Sequence, residues 1–455
     1  MSKMLLNITV NLLFAFSFSI KPGQTMKQED FEGFSRLHAR GITGKGTKVC
    51  VVESQDACYR NHPAFEGVRD QIEFISVGRA SNVPEGFEDR SRRRYPADNE
   101  IEPELLEGIQ DQNGPHGTHV AALIISHPQQ HTQEFLEFPG GVAPDARMSF
   151  IEISGVCLKD CWQDAESRNY GTALYSFKDV DLKPELDLDA QENFDFESNQ
   201  YRRGSKYEGG FTPETYLKFY RSTRNFFFSF LRLSPYYNEK IDDSLVDAFD
   251  QAFKSGAKVL NFSMILASIT DPLSDYRIPE PLLQKITQGL VANDQILVMA
   301  ANNQGRNLSE YKNQVYFKQF SENADISSRM LIVMNVYIGK KGKKIKRFYT
   351  SNWPGKDLSN YTVSAFGKDV VSGYSLKGSE VFRAVSGTSQ AAPKVAGFCL
   401  LVEQFFKDSS QEITSCGIVD FVKRTARPLG DPEIFGKGLI NPDALLNEVR
   451  LFSSP

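Results

Sequence analysis

The chain has 455 residues, 40% of them hydrophobic and 24% charged, with a formal net charge of -5. That is ordinary globular composition, long enough for about two or three average domains or for one large α/β enzyme carrying insertions. The slightly acidic balance gives no support to a nucleic-acid partner.

In chain order, residues 1–32 come first. They open MSKMLLNITVNLLFAFSFSI, one Lys followed by a mostly apolar run, the pattern of a signal peptide. Asn7 and Asn11 interrupt it and no Ala-x-Ala site follows, so an uncleaved anchor is the second reading. Translation from Met26 is the third. The first two place the protein in the secreted or cell-envelope class, the third in the cytoplasm; a membrane partner follows only from the anchor. No later stretch is long and apolar enough to span a bilayer.

Four apolar, strand-like runs follow, at 49–52, 148–153, 258–262 and 295–301. The first, KVCVVESQD at 48–56, delivers the carboxylate of Glu53 at its C-terminal end, where α/β sheets place ligands and chemistry. The segment IDDSLVDAFDQAFKSGAK precedes the third run. Its Leu245, Ala248, Phe249, Ala252 and Phe253 form one helical face that Gly256 closes. PEPLLQKITQGLVANDQ, between the third and fourth runs, has the same helical spacing. Strand–helix–strand alternation predicts an α/β fold: a doubly wound, mostly parallel sheet with helices on both faces. Two stretches break the rhythm and are expected to be surface insertions, at about 68–111 and 158–240. The first holds RSRRR at 90–94, which reads as a solvated charged loop or a self-cleavage site. The second begins acidic, with DVDLKPELDLDAQENFDFE, and turns aromatic, with YLKFYRSTRNFFFSFL.

Of the six cysteines, Cys50 and Cys399 lie in apolar runs and read as core residues. Cys157 and Cys161, in CLKDC, could form a local disulfide or half a metal site. No second Cys/His pair has zinc spacing, so no metal site is expected.

Three stretches carry chemistry. NGPHGTHVAALI, at 113–124, sets His116 between a turn and an Ala-rich helix. VSGTSQAAPKVAGF, at 385–398, places Ser389 at a helix start, where free N–H groups and the helix dipole favour a developing negative charge. VMAANNQG, at 298–305, ends a buried strand in Asn303, a neutral amide able to bind an oxyanion.

Together these stretches resemble the subtilisin-like serine peptidases, the subtilases. HGTHVA at 116–121 is similar to the family's histidine motif. GTSQAAPKVAG at 387–397 is similar to its serine motif, with Gln390 where Met or another residue can stand. ANNQG at 301–305 is similar to the segment supplying the oxyanion Asn. GVAPDARM, GAKVLNFSM and FGKGLINPDAL are weaker matches. The resemblance implies one subtilisin-like peptidase domain over 33–450, with polypeptide as its substrate. It implies His116 as general base, Ser389 as nucleophile and Asn303 as oxyanion donor beside the Ser389 N–H. No cofactor is implied for catalysis. Structural Ca²⁺, common in the family, could be held by the acidic insertion, whose carboxylates lack an EF-hand pattern.

The resemblance also explains why an acid ends the first strand. The family has Asp there, followed by Ser or Thr and then Gly; this chain has Glu53-Ser54-Gln55, with His62-Pro63 downstream. A carboxylate at that position fixes the histidine tautomer and stabilises imidazolium. Asp56 is the rival acid. For substrate binding, the resemblance implies an extended peptide added to the edge formed by Ser263, Met264 and Ile265. Ile265 and Asn302 replace usual glycines, and both are expected to narrow the P1 pocket. A full family prodomain is not expected in the roughly 40 residues before the domain, so folding is expected to proceed without one or with a partner or insertion in its place. The expected function is serine endopeptidase with a Glu-His-Ser triad. The alternative is a catalytically weak or inactive subtilase that binds peptides or proteins through its groove and aromatic insertion.

Overall fold

The computed structural model describes residues 29–54, 58, 60–77, 114–128, 138–153, 194–195, 200–201, 235–264, 277–311, 314–339, 344–376 and 379–452. The strands are β1 (Lys48–Ser54), β2 (Ile72–Val77), β3 (Arg147–Ile153), β4 (Phe194–Asp195), β5 (Gln200–Tyr201), β6 (Val259–Phe262), β7 (Ile296–Ala300), β8 (Met330–Ile338), β9 (Ile345–Arg347), β10 (Thr362–Phe366), β11 (Val370–Leu376) and β12 (Ser379–Val385). The longer helices are α1 (Glu29–His38), α2 (Gly114–Ile125), α3 (Pro235–Lys254), α4 (Glu280–Ala292), α5 (Val315–Glu322), α6 (Thr388–Asp408), α7 (Ser415–Thr425) and α8 (Pro442–Phe452).

The main sheet runs β10-β8-β7-β6-β1-β3-β2. All its neighbours are parallel, and β9 adds antiparallel to β8. From β1 the chain moves to β3 and β2 on one side and later to β6, β7, β8 and β10 on the other. β1 is therefore the switch strand of a doubly wound sheet, and ligands bind beyond the C-terminal ends of strands at such a point.

Burial on both faces is why the strands read as unbroken apolar runs. In β1, Val49 and Val51 join one core with α1, α2, α6 and α7, while Cys50 and Val52 join a second core with α3, α4 and α5. Side chains alternate across a strand, so Glu53 falls on the face of Val49 and Val51, beneath α2 and α6.

The expected start of the first insertion is corrected. β2 lies inside 68–111, yet it pairs in register with β3 from Ile72 to Val77. It escaped recognition because IEFISV is an edge strand buried fully only at Val77. α3 likewise begins inside 158–240. α1 begins within the expected N-terminal segment, with Phe34 and Leu37 in the core and Arg36 paired to Asp443 on α8 at 2.5 Å. β8 and β10 were not singled out from sequence. Among the described residues, no helix is long and apolar enough to cross a membrane.

Candidate active site

Glu53 is completely buried at the end of β1, and one of its oxygens, Oε2, lies 3.1 Å from Nδ1 of His116, whose side chain is 14% exposed. His116 sits in the first turn of α2. A carboxylate can only accept, so the proton of this bond is on Nδ1, and Nε2 is the basic nitrogen. Burial by itself would lower the pKa of His116; the adjoining Glu53 charge and its hydrogen bond outweigh that and hold it above the ordinary value. The second oxygen, Oε1, has no hydrogen-bond partner among the described residues. A buried, half-satisfied carboxylate costs several kcal/mol in general and is a poor stabiliser. Asp56, the rival acid, and Gln55 lie outside the described residues.

Ser389 is 3% exposed, in the first turn of α6, a helix whose residues from Thr388 to Phe405 are all buried. Pro393 lies inside that helix. It lacks the N–H that would bond the carbonyl of Ser389 four residues back. The Ser263 hydroxyl supplies that bond at 3.1 Å, and itself accepts from Asn261 Nδ2 at 3.0 Å. Ser263, expected at the substrate edge, thus has its side chain buried against the backbone of Ser389. The Ser389 hydroxyl donates to Gln390 Oε1 at 3.0 Å. A hydroxyl has one proton, so in this conformation that proton is not on the path to His116.

Asn303 faces the same point. Its Oδ1 accepts from the Thr388 N–H at 3.0 Å. Because a backbone N–H only donates, this bond fixes which end of the amide is oxygen and leaves Nδ2 as its donor end. A β-carbon at Gly387 would lie 3.1 Å from Ser389 Oγ, 3.4 Å from Asn303 Nδ2 and 2.6 Å from Gln390 Oε1. Glycine is what lets these three groups converge.

Asn302 adopts φ 70, a left-handed conformation that Asn tolerates better than most residues. This accounts for Asn where the family has Gly. Its side chain turns inward and donates to the Tyr316 hydroxyl at 3.1 Å. An amide engaged in the core gives no support to a pocket narrowed by Asn302. Met264 is half-buried against the second core, and Ile265 lies outside the described residues.

Sequence reading missed the buried hub that holds the Asn303 loop. Asn352 accepts from the N–H groups of Gln304 at 3.0 Å and Arg306 at 2.9 Å, and donates to the Ala301 carbonyl at 2.8 Å. His62 and His119 stood inside motifs read from sequence, but not as what they are here, clamps on the β11–β12 hairpin. His119 Nε2 lies 3.0 Å from the Val370 carbonyl and 3.2 Å from that of Arg383. His62 Nε2 lies 2.9 Å from the Val381 carbonyl and 3.2 Å from that of Tyr374. No signal distinguished Asn352, since a lone Asn has no periodic pattern. Among the described residues, no group of three or more His, Cys, Asp or Glu is placed to hold a metal. Of the acidic run only Phe194–Asp195 lies among them, and Cys157 and Cys161 lie outside.

A doubly wound, mostly parallel sheet with a buried acid–imidazole pair at the end of its switch strand, and a helix-start serine close to an amide, has the architecture of the subtilisin-like proteins. The chain belongs to the subtilase family of peptidases, whose model matches residues 44–438. No curated protein matches it. Among solved structures, the PatG macrocyclase domain superposes with a TM-score of 0.51 at 14% identity, covering 94% of this chain and 98% of that one. The PatG macrocyclase in complex with peptide gives 0.51 at 14% identity, covering 97% and 100%. The patellamide maturation protease PatG gives 0.50 at 15% identity, covering 93% and 97%. At these identities the likeness is one of fold.

Proposed function

We propose that the protein is a serine endopeptidase with Glu53, His116 and Ser389 as its triad and Asn303 as its oxyanion donor. The observation that carries this reading is the buried Glu53–His116 hydrogen bond, set on the sheet face that α6 and its Ser389 cover. Once the hydroxyl turns from Gln390, by about 120° between staggered rotamers, Ser389 Oγ attacks the scissile carbonyl and its proton passes to His116 Nε2. Glu53 stabilises the resulting imidazolium through Nδ1–H. The carbonyl oxygen, now negative, is held by Asn303 Nδ2 and the Ser389 N–H, a first-turn donor with no intrahelical partner. Breakdown breaks the C–N bond, and His116 returns the proton to the leaving amine. Water, deprotonated by His116, then hydrolyses the acyl-enzyme. The substrate is a polypeptide, in keeping with the family and with a neighbour of the same fold solved with peptide.

A second reading, a subtilase that binds peptides without cleaving them, is favoured by the engagement of the Ser389 hydroxyl with Gln390. A fluorophosphonate probe separates the two. Covalent labelling that disappears in Ser389→Ala supports the peptidase; folded protein that resists the probe both as wild type and as Gln390→Met leaves only the binding module.

A further inference from the structure

We propose that Gln390 is a positioning residue that holds the nucleophile off-line, so that the resting protein keeps most Ser389 hydroxyls turned away from His116. This inference rests on the peptidase reading. The geometry is direct: Gln390 Oε1 accepts the only proton Ser389 can donate, at 3.0 Å. Gln390 is wholly buried, in a helix turn otherwise built of small or apolar side chains, Ala391 and Ala392 following it. Its Nε2 has no hydrogen-bond partner among the described residues. A buried amide whose donor end is unsatisfied is disfavoured, and a methionine of similar length would fill the same space at no such cost. What the amide offers that methionine cannot is a strong acceptor beside Ser389 Oγ. The β-carbon position of Gly387 lies 2.6 Å from that acceptor and 3.1 Å from the hydroxyl, so a side chain there would displace the pair.

Two rotamers of Ser389 follow, one bonded to Gln390 and one to neutral His116, and only the second attacks. Removing the acceptor moves the population to the second. A hydrogen bond of ordinary net strength corresponds to about a three- to ten-fold gain in nucleophile reactivity. Linkage adds a signature that mere loosening of the helix would not. The on-line hydroxyl donates only to neutral His116, so populating it stabilises the neutral form. The acid limb of the rate profile then moves to lower pH.

The test is the second-order rate of fluorophosphonate labelling of the full chain, measured from pH 5 to 9 for wild type, Gln390→Met, Gln390→Leu and Ser389→Ala. Far-ultraviolet circular dichroism and a thermal melt identify the variants that fold. Labelling about three- to ten-fold faster in a folded Gln390 variant, with its acid limb displaced downward, supports the inference. So does labelling that appears only when Gln390 is replaced. Equal or slower labelling in both folded variants overturns it while the peptidase reading stands. Absence of labelling in every folded form overturns both.

Discussion

Restoring the family's usual acid should damage this protein. In Glu53→Asp the carboxylate retreats by one methylene, roughly 1.3 Å along the chain. The 3.1 Å contact to His116 Nδ1 then becomes about 4.4 Å, outside hydrogen-bond range. Glu53 closes a parallel strand whose register is fixed on both sides, with Val52 opposite Ile151 and Phe262, so the backbone cannot follow the shortened side chain. A hydrogen bond to a charged group contributes about 1.5–3 kcal/mol, so kcat/KM should fall about 10- to 150-fold. Glu53→Gln keeps the length but removes the charge and can present the wrong tautomer partner, for a loss of about 10⁴ by analogy with other serine peptidases. The pH profile carries the sign. Glu53 raises the His116 pKa against the burial that lowers it, so the wild-type acid limb should lie above pH 6.5 and fall below it in Glu53→Gln. The assay is hydrolysis of a fluorogenic peptide from pH 5 to 9. Glu53→Asp matching or exceeding wild type would refute the reach argument, and an unshifted limb in Glu53→Gln would move the acid role to Asp56.

Asn352→Ala should cost about as much turnover as Asn303→Ala, about 10²–10³, although Asn352 is placed to touch no substrate. It should also lower stability by about 1–3 kcal/mol in chemical denaturation, because the buried Ala301 carbonyl and the part-buried N–H groups of Gln304 and Arg306 lose their partner. Turnover near wild type in folded Asn352→Ala would show that the Asn303 loop does not need the hub. His119 sets an acid weakness. Burial, then the nearby His116, depresses its pKa from 6.5 to about 3. A folded pKa below the unfolded one means that the unfolded chain takes up the proton first as pH falls. Stability is therefore unaffected above pH 6.5 and declines between 6.5 and 3 at up to about 1.4 kcal/mol per pH unit. Denaturation midpoints at pH 7, 6, 5 and 4 check this, and a His119→Phe variant should lose that part of the slope.

The sequence by itself determined the scaffold and supplied the candidates for its chemistry. Apolar runs at 49–52, 148–153, 258–262 and 295–301 all became parallel strands of the main sheet, because strands buried on both faces must be apolar throughout. His116, Ser389 and Asn303, the residues of the proposed mechanism, were singled out because the stretches around them are similar to subtilase motifs. The tertiary structure decided what the side chains do. β2 looked like insertion because an edge strand needs little burial. Asn302 was expected to face substrate, but a left-handed backbone sends it to Tyr316. Ser263 bonds the carbonyl that Pro393 leaves open, a pairing across 126 positions. Asn352 and His119 hold partners far away in the chain, which local pattern cannot reveal. A hydrogen bond depends on distance and direction between atoms, whereas periodicity records only which face is buried; the first exists only after the chain has packed.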